Sequence, residues 1–218
     1  MIRSKKSLGI LAALSLALLA AELPAQRVRN HFDSDVLTLP PPYFDFAVVG
    51  TPAPASWKVL SGENLPSVTR YLSQVVKDRP ADSMALALRR SVSFEDGTWS
   101  VAVQRGQNRA GIAFRFADES RFRVLLVDNG TGDARLVAYE NGKPAELARG
   151  HAKLDRDWSF LEVVTQGPQI RARWNGQPLL EAADPSPVAG RGGVATAGPG
   201  TAGFDEFILD PGKLTSDK

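Results

Sequence analysis

The feature that most constrains this chain is a two-residue hydrophobic period, which starts near Trp57 and continues almost to the end. In the segments TWSVAVQ, GIAFRF, RFRVLLV and QIRARW, apolar side chains occupy every second position. This alternation is typical of antiparallel strands that bury one face. For example, we expect Ile112, Phe114 and Phe116 to share a face. The chain is therefore predicted to be all-β.

Turn signals between the apolar runs support this prediction. Four dipeptides that tolerate a positive backbone φ separate the runs: Asp96-Gly97, Asn129-Gly130, Asn141-Gly142 and Asn175-Gly176. Tight hairpin turns need such residues. Short strands joined by hairpins, in a chain of 218 residues, predict one β-sandwich domain made of two antiparallel sheets.

The first 25 residues have the pattern of a secretory signal peptide. A basic start at Arg3, Lys5 and Lys6 precedes an apolar run over residues 8–21 and the small-residue boundary LPAQ. The run is shorter than the roughly 20 residues that a membrane-spanning helix requires. We predict cleavage after Ala25 and no membrane span in the mature chain. A retained N-terminal anchor is the alternative.

The rest of the chain divides by composition. Residues 26–56 are rich in proline, which cannot donate to a strand ladder, so they are predicted to form a strap with one strand around Tyr43–Val49. Residues 57–210 are predicted to form the sandwich domain, and residues 211–218 a disordered tail.

Charge and cysteine content exclude several classes of protein. The predicted leader holds three of the 26 basic residues and one of the 24 acidic residues, so the mature chain is formally neutral. A nucleic-acid-binding protein normally carries a basic patch, so nucleic acid is not an expected partner. The chain has no cysteine, which excludes disulfides, thiolate metal sites and a cysteine nucleophile. We predict an exported protein of the periplasm or the extracellular space.

The order of segments resembles a known family. The segments FDSD, WKV, DGTWSVAVQ, AGIAFRFADESRFRVLLVD, RLVAYENGK, DWSFLEVVTQG, ARWNGQPLLEAAD, GRGGVATAG and AGFDEFIL span roughly residues 31–209. Together they are similar to the secreted 3-keto-disaccharide hydrolase family, also described as family-16-like glycoside hydrolases. The resemblance implies a concanavalin A-like jelly roll of the laminin G type and a carbohydrate partner. The strand RFRVLL stands where members of that family commonly carry a paired tyrosine, and Ala195 stands where a bulky aromatic residue is common.

Retaining glucanases of this superfamily need the pattern E-x-D-x-x-E on one strand, which places two carboxylates across the scissile bond. No such triplet occurs here. A 3-keto sugar needs only one base, to remove the proton next to the ketone, and an electrophile for the resulting enolate. We therefore consider Arg115 and Arg123 as substrate-binding electrophiles, and Asp118, Glu119 or His151 as the catalytic base.

Each of these assignments has a simpler alternative. Arg115 and Arg123 are also consistent with the solvated face of a sandwich, and the acids with turn formers or ion-pair partners. His151 also fits an exposed loop histidine. Trp57 is the candidate stacking platform for a sugar, with packing beneath the strap as its alternative.

Metal and cofactor signals are weak. The two histidines of the chain, His31 and His151, do not form a zinc motif. Calcium is the one metal considered, at Asp33, Asp35 and Asp205. No cofactor is expected, and the glycine-rich GPGTAG precedes a strand rather than a helix. Two functions remain: a secreted carbohydrate-active domain resembling 3-keto-disaccharide hydrolases, or a non-catalytic binding module of the cell envelope.

Overall fold

The computed structural model describes residues 26–106 and 108–212. The predicted leader and residues 213–218 of the predicted tail lie outside the described residues. The described residues contain fifteen strands: β1 Val28–Asn30, β2 Phe44–Val49, β3 Trp57–Ser61, β4 Arg70–Gln74, β5 Met84–Phe94, β6 Gly97–Gln104, β7 Arg109–Asp118, β8 Arg121–Asp128, β9 Asp133–Glu140, β10 Lys143–His151, β11 Trp158–Gln166, β12 Gln169–Trp174, β13 Gln177–Ala183, β14 Gly190–Ala197 and β15 Ala202–Pro211. The all-β prediction is confirmed.

The strands form two antiparallel sheets, as the alternation predicted. An eight-stranded sheet has the order β13-β12-β11-β6-β15-β4-β3, with β1 paired to β15, and a seven-stranded sheet has the order β10-β9-β8-β7-β14-β5-β2. Neighbours in these orders are often far apart in sequence, so the chain crosses repeatedly between the sheets. Over the described part of the chain, no helix has the length and apolar character needed to span a membrane.

The main core lies between the two sheets. Trp99, Val101 and Val103 project into it from β6, as predicted, and Ile112 and Phe114 project from β7. The Trp99 ring stacks on the ring of Phe94, with centroids 4.5 Å apart. Because alternate positions on each strand are apolar, both sheets contribute to one continuous cluster.

The proline-rich segment supplies strands to both sheets. Its first strand, β1, pairs with β15 of the eight-stranded sheet. Its second strand, β2, pairs with β5 of the seven-stranded sheet and confirms the strand predicted around Tyr43–Val49. Since β2 is an edge strand, only one of its sides needs ladder hydrogen bonds, which suits a segment bounded by prolines.

Two of the four predicted hairpin turns have the expected geometry. Asn141 and Gly142 have φ values of 52° and 74°, and Asn175 and Gly176 have values of 51° and 79°. Positive φ at both central residues matches the right-handed twist of the flanking strands. These turns fix the registers of β9 with β10 and of β12 with β13.

The other two predicted turns differ from the expectation. Asp96-Gly97 connects β5 of one sheet to β6 of the other, and the turn between β8 and β9 has its positive φ at Gly132 rather than at Asn129-Gly130.

One face assignment is wrong, and a β-bulge is the reason. Arg115 has a φ of 49°, and the register of β7 against β14 shifts by one residue there, since Ala113 pairs with Gly193 whereas Phe116 pairs with Arg191. The extra residue reverses the alternation. Phe114 therefore points into the main core, whereas Phe116 belongs to a second apolar cluster on the opposite face of the sheet.

Candidate functional site

The second apolar cluster marks the outer face, which is the side of the seven-stranded sheet that points away from the main core. Met84, Leu86 and Leu88 reach it from β5, and Ala113 and Val124 lie beside them. A sheet with one solvated face normally carries polar residues there. The residues of this cluster are at most 6% exposed, so the apolar face is largely covered, and the openings on it are two pockets.

The apolar outer face explains why Arg123 was placed on the wrong side. Phe122, Val124 and Leu126 do share a face opposite Arg123, but they lie on the outer face. Arg123 instead shares a face of β8 with Leu125 and points between the sheets, where it is fully buried. When both faces of a strand are largely apolar, alternation identifies two faces without showing which one is the core.

Arg115 and Arg123 form neither a sugar-binding floor nor a solvated face. Both are fully buried and share the carboxylate of Asp184. Arg115 donates from Nη1 to Asp184 Oδ2 at 2.8 Å, and Arg123 donates from Nε to the same oxygen at 2.9 Å. Asp184 follows β13 of the eight-stranded sheet, so this cluster ties the two sheets together.

The acid at the centre of this cluster remains ionised. Burial tends to raise the pKa of Asp184, but hydrogen bonds from Arg123, the Ser186 backbone and Arg115 hold that pKa below its usual range. Arg123 also donates a hydrogen bond from Nη2 to Glu140 Oε1 at 2.6 Å, which extends the cluster to the end of β9. All three buried charges therefore have partners, which is the condition for a tolerated buried ion pair.

An aromatic row crosses the outer face over β7, β8 and β9. The ring of Phe122 lies 5.5 Å from the ring of Phe116 on one side and stacks 4.4 Å from the ring of Tyr139 on the other. Phe122 is fully buried, whereas Tyr139 is half-buried. Burial raises the pKa of Tyr139, so its hydroxyl stays protonated at neutral pH and can donate a hydrogen bond.

Tyr139 borders the larger of two pockets on the outer face, which we name the tyrosine pocket. Its volume is about 770 Å³, and Val124, Leu126 and Val137 lie beneath it. Its rim is polar and comes from five strands and their loops: Asp82, Asn108, Arg109, Asp128, Asp133, Arg135 and Glu146. The pocket thus combines an apolar floor with donors and acceptors around it.

The second pocket, which we name the arginine pocket, has a volume of about 700 Å³. The guanidinium carbon of Arg191 lies 5.3 Å from the Phe116 ring centroid, over the face of that ring. Arg191 also donates to Asp45 Oδ2 at 2.6 Å. Asp118 and Glu119, from the turn between β7 and β8, complete the polar lining.

The candidate bases lie apart from one another. Asp118 and Glu119 lie at the turn that begins β8, whereas His151 pairs with Asp133 near the residues that end β8. Seven strand residues separate these ends, or about 23 Å at the usual rise. Hydrogen bonds from the Ser120 side chain and backbone hold the pKa of Asp118 below its usual range, so Asp118 is a weak base.

The His151 side chain is exposed and lies outside both pocket linings. Its Nδ1 is 3.4 Å from Asp133 Oδ1, and 69% of the side chain is accessible to solvent. Nothing in this arrangement desolvates the imidazole or aims it at the pocket floor. The exposure agrees with the simpler interpretation, but His151 is the last residue of β10 and not a loop residue.

The prediction that Trp57 is an exposed platform is wrong. Trp57 is 4% exposed and belongs to the main core. It stacks beneath Phe46, with ring centroids 6.2 Å apart, and packs on Phe204. The packing alternative is therefore the correct one, because β3 is an edge strand whose inner face the strand β2 covers with Phe46.

The three acids considered for calcium are engaged elsewhere. Asp33 accepts hydrogen bonds from Thr69, and Asp205 accepts one from the Ser67 backbone. Within residues 26–106 and 108–212, no group of three or more acidic or histidine side chains could hold a metal ion. Asp35, the third of these acids, accepts a hydrogen bond from the Tyr43 hydroxyl.

Sequence reasoning missed the residues that do line the outer face. Tyr139, Arg109, Arg135 and Arg191 were not singled out. The signal available for Tyr139 was its shared alternation with Arg135 and Val137. That signal could not identify the outer face, because Leu136 and Ala138 on the other side of β9 look equally suited to either environment.

No protein-family model and no curated protein matches this chain. Solved structures do match it. The carbohydrate-binding module CBM66 from Bacillus subtilis superposes with a TM-score of 0.53 at 17% identity, over 69% of this chain and 92% of that one. The Bacillus licheniformis β-glucanase superposes with a TM-score of 0.54 at 10% identity, over 86% and 98%. The fold is a jelly-roll sandwich.

A third jelly roll shows how widely the fold is used. Domain 4 of AbnA, a GH43 extracellular arabinanase from Geobacillus stearothermophilus, has been solved in complex with arabinotriose and superposes with a TM-score of 0.52. It is 14% identical and covers 86% of this chain and 92% of its own. At such identities the likeness establishes the fold, and function has to be argued from the site.

Proposed function

We propose that this chain is an exported carbohydrate-binding protein that holds a glycan on the outer face without cleaving it. The observation that carries the proposal is the composition of the tyrosine pocket, which has an apolar floor and a polar rim. Binding pockets for small organic ligands are typically apolar with a few well-placed polar groups. Sugars match this arrangement because one ring face presents C–H groups while the edges present hydroxyls.

Tyr139 is the residue that suits a sugar best. Its ring supplies an apolar face, and its protonated hydroxyl supplies a hydrogen-bond donor at the pocket edge. The surrounding carboxylates accept hydrogen bonds from sugar hydroxyls, and Arg109 and Arg135 donate to ring and hydroxyl oxygens. Both kinds of partner are needed, since every sugar hydroxyl is at once a donor and an acceptor.

The placement of carboxylates supports binding over ordinary glycoside hydrolysis. A retaining enzyme needs two carboxyl groups about 5 Å apart on either side of the scissile bond. On the outer face, the centre of the floor is formed by Leu86, Ala113, Val124 and Ala195. Seven carboxylates instead line the two pockets on either side of it.

The fold comparisons lend further support. Two of the superposing jelly rolls are a carbohydrate-binding module and a domain bound to arabinotriose. This support is an analogy at the level of the fold. The leader-like residues 1–25 and the absence of cysteine support export, for which the test is the mature N-terminus, expected at Gln26, in protein recovered from outside the cytoplasm.

A second candidate function is hydrolysis of 3-keto glycosides, and one observation favours it. Asp118, Glu119 and Arg191 line the same pocket, so a base and an electrophile lie on one side of the sheet. A carboxylate would remove the proton next to the ketone, and Arg191 would stabilise the enolate oxygen. The anomeric C–O bond would then break, the leaving oxygen would take a proton, and water would add to the unsaturated sugar.

Retention on immobilised polysaccharides tests the proposed function. Wild-type protein, Tyr139→Ala and Phe160→Ala would be compared by affinity electrophoresis in gels containing arabinan, cellulose derivatives, xylan, fructan or mannan. Phe160 is a matched control, because it is exposed on the eight-stranded sheet. We expect retardation of wild type and Phe160→Ala on at least one polymer, and its loss in Tyr139→Ala. Equal mobility of all three proteins on every polymer would overturn the proposal.

A further inference from the structure

Three of the four sheet edges are protected against pairing with another chain. The edge strand β10 contains a β-bulge and the charged residues Lys143 and Arg149. The edge strand β13 carries Pro178 and lies opposite a register shift in β12. The edge strand β3 is covered by the proline-rich segment, in which the Thr38 backbone donates to the Val59 carbonyl at 2.8 Å. Charges, proline, bulges and covering segments are the usual means of preventing edge-to-edge association.

The fourth edge strand, β2, lacks this protection. Its sequence FDFAVV contains one charged residue, Asp45, whose charge is neutralised by Arg90 and Arg191. In the part of the chain that the structure describes, β2 pairs with β5 and no strand lies on its other side. The side chain of Phe46 is 41% exposed at this edge. An exposed, apolar edge strand is a template for pairing with another strand.

The hydrogen bonds that β2 already makes show which of its backbone groups are free. The backbone N–H of Arg90 donates to the carbonyl of Tyr43, so Tyr43 and every second residue after it direct their backbone groups toward β5. The intervening residues direct theirs to the open side, where Phe44 uses its N–H in a turn. Within residues 26–106 and 108–212, no turn or loop hydrogen bond engages the backbone of Phe46 or Val48.

These free groups fit a second copy of the same strand. When Ala47 lies on a two-fold axis, Phe46 of each copy is opposite Val48 of the other. Residues opposite each other in this way exchange both of their backbone hydrogen bonds, so the free groups of both residues are satisfied. In the same register Asp45 is opposite Val49, so no like charges meet across the strands.

The charges beside β2 are complementary in the same antiparallel arrangement. At the N-terminal end of β2, the guanidinium carbon of Arg89 lies 4.7 Å from the centroid of the Tyr43 ring. At the C-terminal end, the carboxylate of Asp82 accepts a hydrogen bond from the Thr51 hydroxyl at 2.6 Å. A two-fold axis at Ala47 brings the basic end of one copy toward the acidic end of the other, which favours association in this register.

We infer that two copies of this chain associate through β2, which joins their seven-stranded sheets into one continuous antiparallel sheet. The interface is isologous, because the same strand serves both copies. Its formation covers the exposed part of the Phe46 ring. Because Asp45, Phe46 and Ala47 line the arginine pocket, the pairing also places the arginine pockets of the two copies next to each other. The association does not depend on which ligand the outer face binds.

Light scattering coupled to size-exclusion chromatography tests the association on the mature chain, residues 26–218. We expect wild type to have twice the mass of one chain. Val48→Pro removes an N–H donor that points to the open side and keeps the hydrogen bonds to β5, as proline on an edge strand can. Its mass should therefore fall to that of one chain, while a cooperative thermal transition shows that the variant is folded.

Cysteine cross-linking tests the register. The chain has no cysteine, so Ala47→Cys introduces a single thiol on the proposed axis. Residues opposite each other in a non-hydrogen-bonded antiparallel pair have Cα atoms about 4.5 Å apart, which a disulfide can span. We expect oxidised Ala47→Cys to form a covalent two-chain species. Ala145→Cys, on the exposed strand β10 at the opposite edge of the same sheet, should remain as single chains.

The outcomes decide between this interface and its alternatives. A mass of one chain for wild type would overturn the inference. A two-chain mass that persists in folded Val48→Pro, or an Ala47→Cys chain that is no more cross-linked than Ala145→Cys, would place the association on another surface and overturn it as well. If Val48→Pro fails to fold, the comparison of the two cysteine variants decides by itself.

Discussion

Arg123 and Asp184 form a two-point ion pair in the interior of the sandwich. Arg123 Nε donates to Asp184 Oδ2 at 2.9 Å, and Arg123 Nη2 donates to Oδ1 at 2.7 Å. Arg123 lies on β8 of the seven-stranded sheet, Asp184 directly follows β13 of the eight-stranded sheet, and Arg115 bonds to the same carboxylate. A pair of arginines that the sequence offered as a ligand site is therefore part of what holds the sheets together at this end.

Removing the charge of Asp184 should destabilise the fold strongly. Asp184→Asn leaves two buried guanidinium groups with no anion between them, and breaking a buried ion pair costs about 3 kcal/mol or more. The free energy of unfolding, measured by denaturant titration, should fall by that amount. The control is Asp155→Asn, whose exposed pair with Lys153 should matter little. Equal effects of the two substitutions would show that the buried pair has no special role.

Trp57 should matter for stability and not for ligand binding. It packs in the main core beneath Phe46, and truncating a buried tryptophan to alanine costs about 3–5 kcal/mol. Trp57→Phe keeps an aromatic ring there and should retain polysaccharide binding, with a lower melting temperature. If Trp57→Phe remained as stable as wild type but lost binding, Trp57 would be a ligand contact after all.

The buried carboxyl group of Asp205 should lower the free energy of unfolding as pH rises, whereas an acid in a salt bridge raises it. It is fully buried, and burial raises its pKa, although Ser67 donates to it. Its protonated form is therefore favoured by folding, so its contribution is present below the unfolded pKa of about 3.9 and is lost as pH rises through the folded pKa. Relative to wild type, Asp205→Asn should gain stability as pH rises from acid to neutral. A difference independent of pH would contradict this.

Gln74 is a buried amide side chain whose replacement by an apolar residue should stabilise the fold. It is fully buried on β4 next to Trp57, and within residues 26–106 and 108–212 neither its amide nitrogen nor its amide oxygen has a hydrogen-bond partner. Leaving such a group unpaired costs about 1 kcal/mol or more. Gln74→Met should raise the free energy of unfolding by about that amount, whereas Gln177→Met on the exposed edge strand should not. A loss of stability in Gln74→Met would mean that water satisfies the amide.

Glu119 provides the decisive test of the second candidate function. Mature protein incubated with 3-keto and ordinary disaccharides should release no monosaccharide if the outer face only binds. Release from the 3-keto substrate, abolished by Glu119→Gln or Arg191→Ala, would establish hydrolysis in the arginine pocket. Asp118→Asn is the comparison, because the Ser120 hydrogen bonds lower the pKa of Asp118 and make it a weak base. Activity unaffected by all three changes would place the reaction elsewhere.

Part of the site could be read from the sequence and part could not. Asp118 and Glu119 do line a pocket on the outer face, and their turn was predicted from local residues alone. Arg191 joins them from a strand more than seventy residues away, which no local pattern could indicate. The bulge at Arg115 was also hidden, because a single extra residue leaves the composition of β7 unchanged and alters only its register.

The sequence by itself determined the class of structure. Its two-residue period and its Asn-Gly turns require antiparallel hairpins, because side-chain direction and turn geometry are local properties of the backbone. Only the tertiary structure decided which face of each strand is the core. Two apolar faces flank the seven-stranded sheet, and the second sheet covers just one of them. That choice buried Arg123 with Asp184 and turned Tyr139 toward solvent, and so it fixed where a ligand can bind.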